Sequence, residues 1–258
     1  MSLPFITNVD RQAQILRMLE ERGRISLADL TATFQISEAT ARRDLDALAE
    51  QGKVQRVHGG AILLRQSAPE PPILRRQEEQ AEEKERIGRA AAALVQDGET
   101  VFLGSGTTTL QVARALRSRQ RLTVLTNSLP VINTLAGQAN LTVVVLGGLL
   151  RDSELSFIGH ITEKALAEVR ADKVILGVRA ISLEYGLTND YLPEALTDRA
   201  ILQCGRQVIL VADHTKLNTV AAAFLAPLTA IHHLVTDSQA PADFLDSLRA
   251  LGIQVTIA

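Results

Sequence analysis

Ser37-Glu38-Ala39-Thr40-Ala41-Arg42-Arg43-Asp44-Leu45-Asp46-Ala47-Leu48 is the stretch on which the reading of this 258-residue chain turns. Ser37 is a good N-cap, and the helix it opens is predicted to run to about Gln51 and stop at Gly52. At about 100° per residue, Ala41, Leu45 and Leu48 cluster on one side of that helix. Ala39, Arg43 and Asp46 point the other way, flanked by Thr40 and Arg42. One face is therefore apolar and the opposite face carries guanidinium groups, densest in the first two turns.

Working outward, the flanks complete a recognisable unit. A helix is predicted over 11–22, with Ile15, Leu16 and Leu19 on one side. A second helix starts after Ser26, with Asp29 three residues on as a reciprocal cap. It carries Leu27, Leu30 and Phe34 at helical spacing, and Gln35-Ile36 forms the turn into the third helix. After Gly52, the apolar runs of 53–64 flank Gly59-Gly60, which reads as a β-hairpin. Two helices joined by a short turn and followed by a hairpin form a winged helix-turn-helix. The second of them would enter a DNA groove about 12 Å wide, so its leading residues must be small, polar or flexible. The candidate DNA-contacting residues are Ser26, Ser37, Glu38, Ala39, Thr40, Arg42 and Arg43, with Arg56 and His58 on the wing. The competing reading is a small helical domain that binds protein. The arginine pair, the caps and the glycine hairpin all agree with DNA instead.

Bulk properties narrow the classes. The chain is 46% hydrophobic and 22% charged, a globular balance that excludes a wholly disordered protein. Formal net charge is −2, so nucleic-acid binding must rest on a local basic patch. The single Cys204 cannot form an internal disulfide, and no Cys/His cluster has zinc spacing. No metal or other cofactor is expected, and the composition fits a reducing cytoplasm. There is no basic region followed by an apolar run near the start, and no uncharged apolar stretch of about 18 residues. Neither a secretory leader nor a membrane span is therefore expected.

The chain divides in two. Residues 1–65 are expected to form the DNA-reading part, 66–86 a linker and the start of a connecting helix, and 87–258 an effector-sensing domain. Pro69, Pro71 and Pro72 favour an extended spacer. The charged run from Arg75 to Arg86 lacks breakers and leads into Ile87–Val95, which predicts one long helix, solvated at its start.

Beyond residue 95, strands are predicted at Thr100–Leu103, Leu122–Thr126, Leu141–Leu146, Lys173–Val178, Gln207–Val211, His233–Thr236 and Ile253–Ile257. Helices are predicted between them, at about 107–117, 129–137, 161–170, 193–204 and 241–251. Many of the strands are continuous Val/Ile/Leu runs, as in a sheet covered on both faces, so the domain reads as an open, mostly parallel α/β sheet. Ligands in such sheets bind at the carboxyl ends of the strands.

Those ends carry the candidate chemistry. Gly104, Ser105, Gly106, Thr107 and Thr108 lead from the first strand into a helix. Glycines, hydroxyls and free N–H groups there suit an anion such as phosphate, although a simple capped turn has the same appearance. Asn127 and Ser128 read either as ligand contacts or as helix caps. Gly147, Gly148, Arg151 and Arg179 lie at other strand ends. Asp213 and Lys216 do too, and read either as pocket residues or as a solvated turn. Together these groups suit a phosphorylated polyol.

The same residues resemble a known family. Ser37–Leu45, Arg56-Val57-His58-Gly59-Gly60-Ala61, Ser105-Gly106-Thr107-Thr108, Thr126-Asn127-Ser128, Leu146-Gly147-Gly148, Gly186-Leu187-Thr188 and Ala212-Asp213-His214-Thr215-Lys216 resemble blocks of the DeoR-type bacterial regulators of sugar metabolism. The resemblance implies a winged helix-turn-helix repressor with a Rossmann-like sensor domain similar to ribose-5-phosphate isomerase. It implies an operator in double-stranded DNA, a sugar phosphate or related anionic metabolite as effector, and a homodimer or homotetramer. By that carry-over, Ser105, Gly106, Thr107 and Thr108 would hold phosphate, while Asn127, Gly147, Gly148, Asp213 and Lys216 would line the rest of the site.

Two departures stand out. The family usually has Asp where this chain has Gly104, and Gly-Ala-Asp-Gly where it reads Gly177-Val178-Arg179-Ala180. An acid of the isomerase catalytic set has become a base, which argues against the alternative of an isomerase with an accessory DNA-binding domain. Arg179 either meets a second anionic group of the effector or pairs with Asp190 or Glu184.

Overall fold

The computed structural model describes residues 7–22, 24–51, 53–57, 59–63, 65–66 and 71–258. His58 and Gly52, both singled out above, lie outside the described residues. The chain falls into two compact units, Met1–Gln66 and Ser67–Ala258.

In the first unit, helices Asn8–Arg22, Leu27–Phe34 and Glu38–Glu50 accompany a three-stranded antiparallel sheet. Its order is Arg24–Ser26, Gly60–Leu63, Val54–Val57. The helices start where their caps dictate. The Ser26 hydroxyl accepts from the Asp29 amide at 3.1 Å, and the Asp29 carboxylate accepts from the Ser26 amide at 2.9 Å. Ser37 accepts from the Thr40 amide. Ala41, Leu45 and Leu48 are buried with Ile15, Leu19, Leu27, Leu30 and Val54, so the inward face read from the sequence is the observed one. At Gly60 the hairpin strand passes so close to Ile25 that an added Cβ would lie 2.1 Å from the Ile25 carbonyl oxygen. Only glycine fits there.

The second unit is built on a seven-stranded parallel sheet. Its order is Gln254–Ile257, His233–Thr236, Gly205–Val211, Ala171–Leu176, Thr100–Leu103, Leu122–Thr126, Leu141–Val145. Helices Ala81–Ala93, Thr107–Leu116 and Leu129–Leu135 supply residues to the apolar core on one face. Helices His160–Ala167, Leu192–Cys204 and Ala242–Ala250 supply the other. The winding reverses between Ala171–Leu176 and Thr100–Leu103, which leaves a crevice at the carboxyl ends of those two neighbours.

Three features depart from expectation. The single connecting helix is broken: Ile73–Arg76 ends at a turn over Gln77–Gln80, and a new helix runs Ala81–Ala93. Gln80 takes a left-handed conformation (φ 49°), which no glycine or proline announces. A small antiparallel sheet of Ala180–Ser182, Gly186–Asn189 and Ala223–Ala226 stands apart from the main one. A hairpin of Leu149–Arg151 and Ser156–Ile158 follows the edge strand.

Candidate functional site

The DNA-facing candidates of the first unit sit on the exposed side of the Glu38–Glu50 helix. Ala39, Arg42 and Arg43 are exposed and Thr40 is half-buried. Arg42 is held along the helix by Glu38, one turn earlier, at 2.5 Å. Arg43 has no hydrogen-bond or ion-pair partner among the described residues, so its five donors face outward. Arg56 is less available than the sequence suggests. It pairs with Asp46 at 2.9 Å and donates to the Gly60 carbonyl at 2.7 Å, which fixes the wing against the helix. Beneath the helix, Asp44 is buried and holds Arg11 at 2.5 Å and 3.1 Å, a bidentate pair. The Asp44 carboxylate holds the Arg11 guanidinium pKa above its ordinary value.

The crevice of the second unit gathers Ser105, Gly106, Thr107, Thr108, Arg179, Asp213 and Lys216 from the sequence candidates. Gly106 sits at φ 123° and opens the Thr107–Leu116 helix without a side-chain cap. The first amides of that helix therefore have no intrahelical acceptor, and the positive end of the helix dipole faces the crevice. Asp213 is buried; its carboxylate accepts from the Thr215 amide at 3.0 Å and from the Thr215 hydroxyl. Arg179 pairs with Asp190 at 3.0 Å, the internal partner weighed above.

Six candidates do not line the crevice wall. Gly104 is a packing position, since a Cβ there would come 2.5 Å from a Leu176 methyl. The leucine fills the space an aspartate side chain would need. Gly148 is fixed by packing as well: a Cβ would meet the Thr162 hydroxyl at 2.1 Å, and its neighbour Gly147 gives that hydroxyl its carbonyl acceptor at 3.0 Å. Arg151 is bound to Glu194 and lies over the Tyr191 ring at 4.6 Å. Asn127 donates to the Phe157 carbonyl at 2.9 Å, and Ser128 is fully buried. The Asn127 Oδ1 and Ser128 Oγ atoms nevertheless have no hydrogen-bond partner, the condition in which a buried polar atom calls for water or ligand.

The crevice also holds residues that the sequence reading passed over. Arg76, Glu79, Gln80 and Lys84 form one wall, and Glu154, Asn189, Glu194 and Asp198 contribute elsewhere. Arg76 and Lys84 had been placed in a solvated charge run, but both are buried. The Arg76 Nη2 donates to both carboxylate oxygens of Glu154, at 2.5 and 2.6 Å. Lys84 donates to the Arg76 carbonyl at 2.7 Å and the Glu79 carbonyl at 2.5 Å. Burial pushes the Lys84 pKa below its ordinary value, and Asp213 nearby opposes that shift. Burial, with Glu194 beside it, holds the Asp198 carboxyl well above the usual carboxylate range; the Asn189 amide, 2.7 Å away, pulls it back. A signal for the wall was present in retrospect: Lys84, Ile87, Gly88 and Ala91 share one helical face, which puts the lysine in line with packed residues.

Residues 79–238 match the DeoR C terminal sensor domain, and residues 11–67 match the DeoR-like helix-turn-helix domain. The chain belongs to the DeoR family. A DeoR-family relative, the glycerol-3-phosphate regulon repressor of Escherichia coli (strain K12), is 34% identical over 247 residues, covering 96% of this chain and 98% of that protein. The transcriptional repressor AccR of Agrobacterium fabrum is 34% identical, covering 91% of each. The putative aga operon transcriptional repressor of Escherichia coli O157:H7 is 32% identical, covering 96% of this chain and 93% of that protein. Among solved structures, ribose 5-phosphate isomerase A of Methanocaldococcus jannaschii has a TM-score of 0.40 and 19% identity, covering 54% of this chain and 55% of that one. Among the described residues of this DeoR-family chain, no helix is long and apolar enough to cross a membrane.

Proposed function

We propose that the chain is a transcriptional repressor of carbohydrate-metabolism genes whose operator affinity is set by a phosphorylated polyol. The observation that carries this reading is the chemistry of the crevice. Its lining includes the uncapped start of the Thr107–Leu116 helix with Lys84, Lys216 and Arg76, which suit a phosphate. The same lining includes Asn189, Glu194 and Asp198, which suit sugar hydroxyls. Repressor relatives of sugar-related operons support the same reading.

The wall formed by Arg76–Lys84 begins ten residues after the end of the first unit in the chain. A phosphate that takes over the Lys84 ammonium releases the Arg76 and Glu79 carbonyls, so the segment leading to the DNA reader is the part that senses occupancy. One recognition helix reads few base pairs, so operator binding calls for a homodimer or homotetramer acting on DNA in the cytoplasm.

Thermal-shift measurements against a panel of phosphorylated sugars test the effector. A member that raises the melting temperature and changes operator affinity is the expected result, and a panel without effect overturns it. Incubation of the same protein with ribose 5-phosphate is expected to yield no ketose. Turnover would favour the enzyme reading, for which Asp213 is the candidate base.

The reader makes a separate prediction. Arg43→Ala is expected to relax base preference by about 1–3 kcal/mol. Arg42→Ala is expected to weaken all sequences together and lower the salt slope by about 1. Competition between operator and random DNA separates the two, and equal effects would refute the assignment.

A further inference from the structure

Four carboxyl groups gather about Asn189 and the start of the Leu192–Cys204 helix, and three of them hold a guanidinium each. Glu154 pairs with Arg76 at 2.5 Å, Glu194 with Arg151, and Asp190 with Arg179 at 3.0 Å. Asp198 is the fourth. It is 4% exposed and forms no ion pair among the described residues; its hydrogen bond comes from the uncharged Asn189 amide at 2.7 Å. The other charges packed about this helix are engaged elsewhere. Lys84 donates to the Arg76 and Glu79 carbonyls, with Asp213 and Lys216 as charged neighbours. Arg199 donates to the Leu225 carbonyl at 3.1 Å, and Glu163, on the neighbouring His160–Ala167 helix, accepts from the Thr197 hydroxyl at 3.0 Å.

A carboxylate buried without a cation is costly, and a second carboxylate one turn away on the same helix adds to the cost. Glu194 has Arg151 to keep its charge, so the proton of this pair belongs on Asp198. The Asn189 amide decides which oxygen carries it. Asn189 Oδ1 accepts from the Arg179 backbone amide at 3.1 Å, so Nδ2 is the group turned to Asp198 Oδ2. The carboxyl oxygen that receives an N–H is the better acceptor, the carbonyl one. Oδ1 is therefore the hydroxyl, on a residue of the crevice lining.

We propose that Asp198 meets the effector as an undissociated acid and donates its Oδ1 proton to an uncharged oxygen of the sugar. The ligand half of this rests on the effector reading above; the state of the acid rests on the ion pairs alone. The two states select differently. An ionised carboxylate would draw an amino group to this place, whereas the undissociated acid takes a hydroxyl or carbonyl oxygen.

Urea unfolding of the full chain and of D198N, from about pH 5 to about pH 7, tests the acid without any ligand. Over that range the unfolded chain ionises Asp198 and the folded sensor does not. The stability the acid gives is complete below the ordinary carboxylate range and is lost as pH rises. The parent sensor is therefore expected to weaken relative to D198N, by about tenfold in the folding equilibrium constant per pH unit. Parallel curves overturn the assignment. Should D198N not fold, the infrared spectrum of the parent at neutral pH decides: an undissociated carboxyl C=O band that shifts in heavy water is expected, and its absence overturns the assignment. For the donor role the probe is ribose 5-phosphate, with binding followed by calorimetry at neutral pH. D198A is expected to bind about tenfold more weakly than the parent, and D198N, which keeps a donor there, to recover most of the loss. An undiminished D198A, or a D198N as weak as D198A, overturns the donor role. If the parent binds neither ribose 5-phosphate nor any other member of the panel above, the effector reading falls and the donor role with it, while the urea curves still decide the state of the acid.

Discussion

Asp44→Ala is expected to abolish operator binding without touching a DNA-facing side chain. Asp44 is buried beneath the recognition helix, and its bidentate partner Arg11 belongs to the first helix. Removing the carboxylate leaves a guanidinium in a poorly hydrated place, which costs about 3–5 kcal/mol. A unit of this size holds only about 3–5 kcal/mol in its core, so the reader unfolds while the sensor stands. Urea unfolding of the full chain should lose its reader transition, and operator binding should fall to the level of random DNA. The double replacement Arg11→Met with Asp44→Leu removes both charges and should recover much of the stability. An Asp44→Ala protein that keeps parental operator affinity would sink this account.

Glu154→Ala is the corresponding experiment in the sensor. Glu154 and Arg76 are both nearly buried and 78 residues apart in sequence. Without Glu154 the Arg76 charge is unpaid at that site, and the cost is again about 3–5 kcal/mol. Here the larger unit is expected to stay folded at room temperature, with a lowered melting point. The wall formed by residues 76–84 loosens, so the rise in melting temperature caused by an active phosphorylated sugar should shrink or vanish. Arg76→Met with Glu154→Leu should regain stability but not effector response, because Arg76 is then missing from the crevice lining. Full retention of both stability and response in Glu154→Ala would show that the pair does not anchor the wall.

What the sequence made legible follows from how each element signals itself. The seven main strands are long apolar runs, and both reader helices open on Ser caps whose partners lie three residues away, so local information suffices. The small antiparallel sheet was silent because Ala180–Ser182 and Gly186–Asn189 hold a single large apolar residue each and so form no apolar run. The break at Gln80 was silent because a non-glycine in the left-handed region leaves no compositional trace. The crevice-lining stretch Ser105–Thr108 was readable, since glycine and hydroxyls before a helix are a local pattern. Arg76 and Glu154 were not, because a buried charge is recognised by its partner, and these two partners stand 78 residues apart. Gly104 and Gly148 mark close packing, and a sequence alone gives the same letter for a glycine kept for space and one kept for a ligand.

The grip of Asp190 on Arg179 has a consequence for selectivity. On the effector reading, an arriving anion finds a carboxylate already seated at that guanidinium and has to outcompete it. Weakly held monoanions such as chloride or acetate lose that contest, while a dianion positioned by the rest of the crevice prevails. The built-in rival thus works as a threshold, leaving the repressor deaf to background anions and responsive to a strongly bound one.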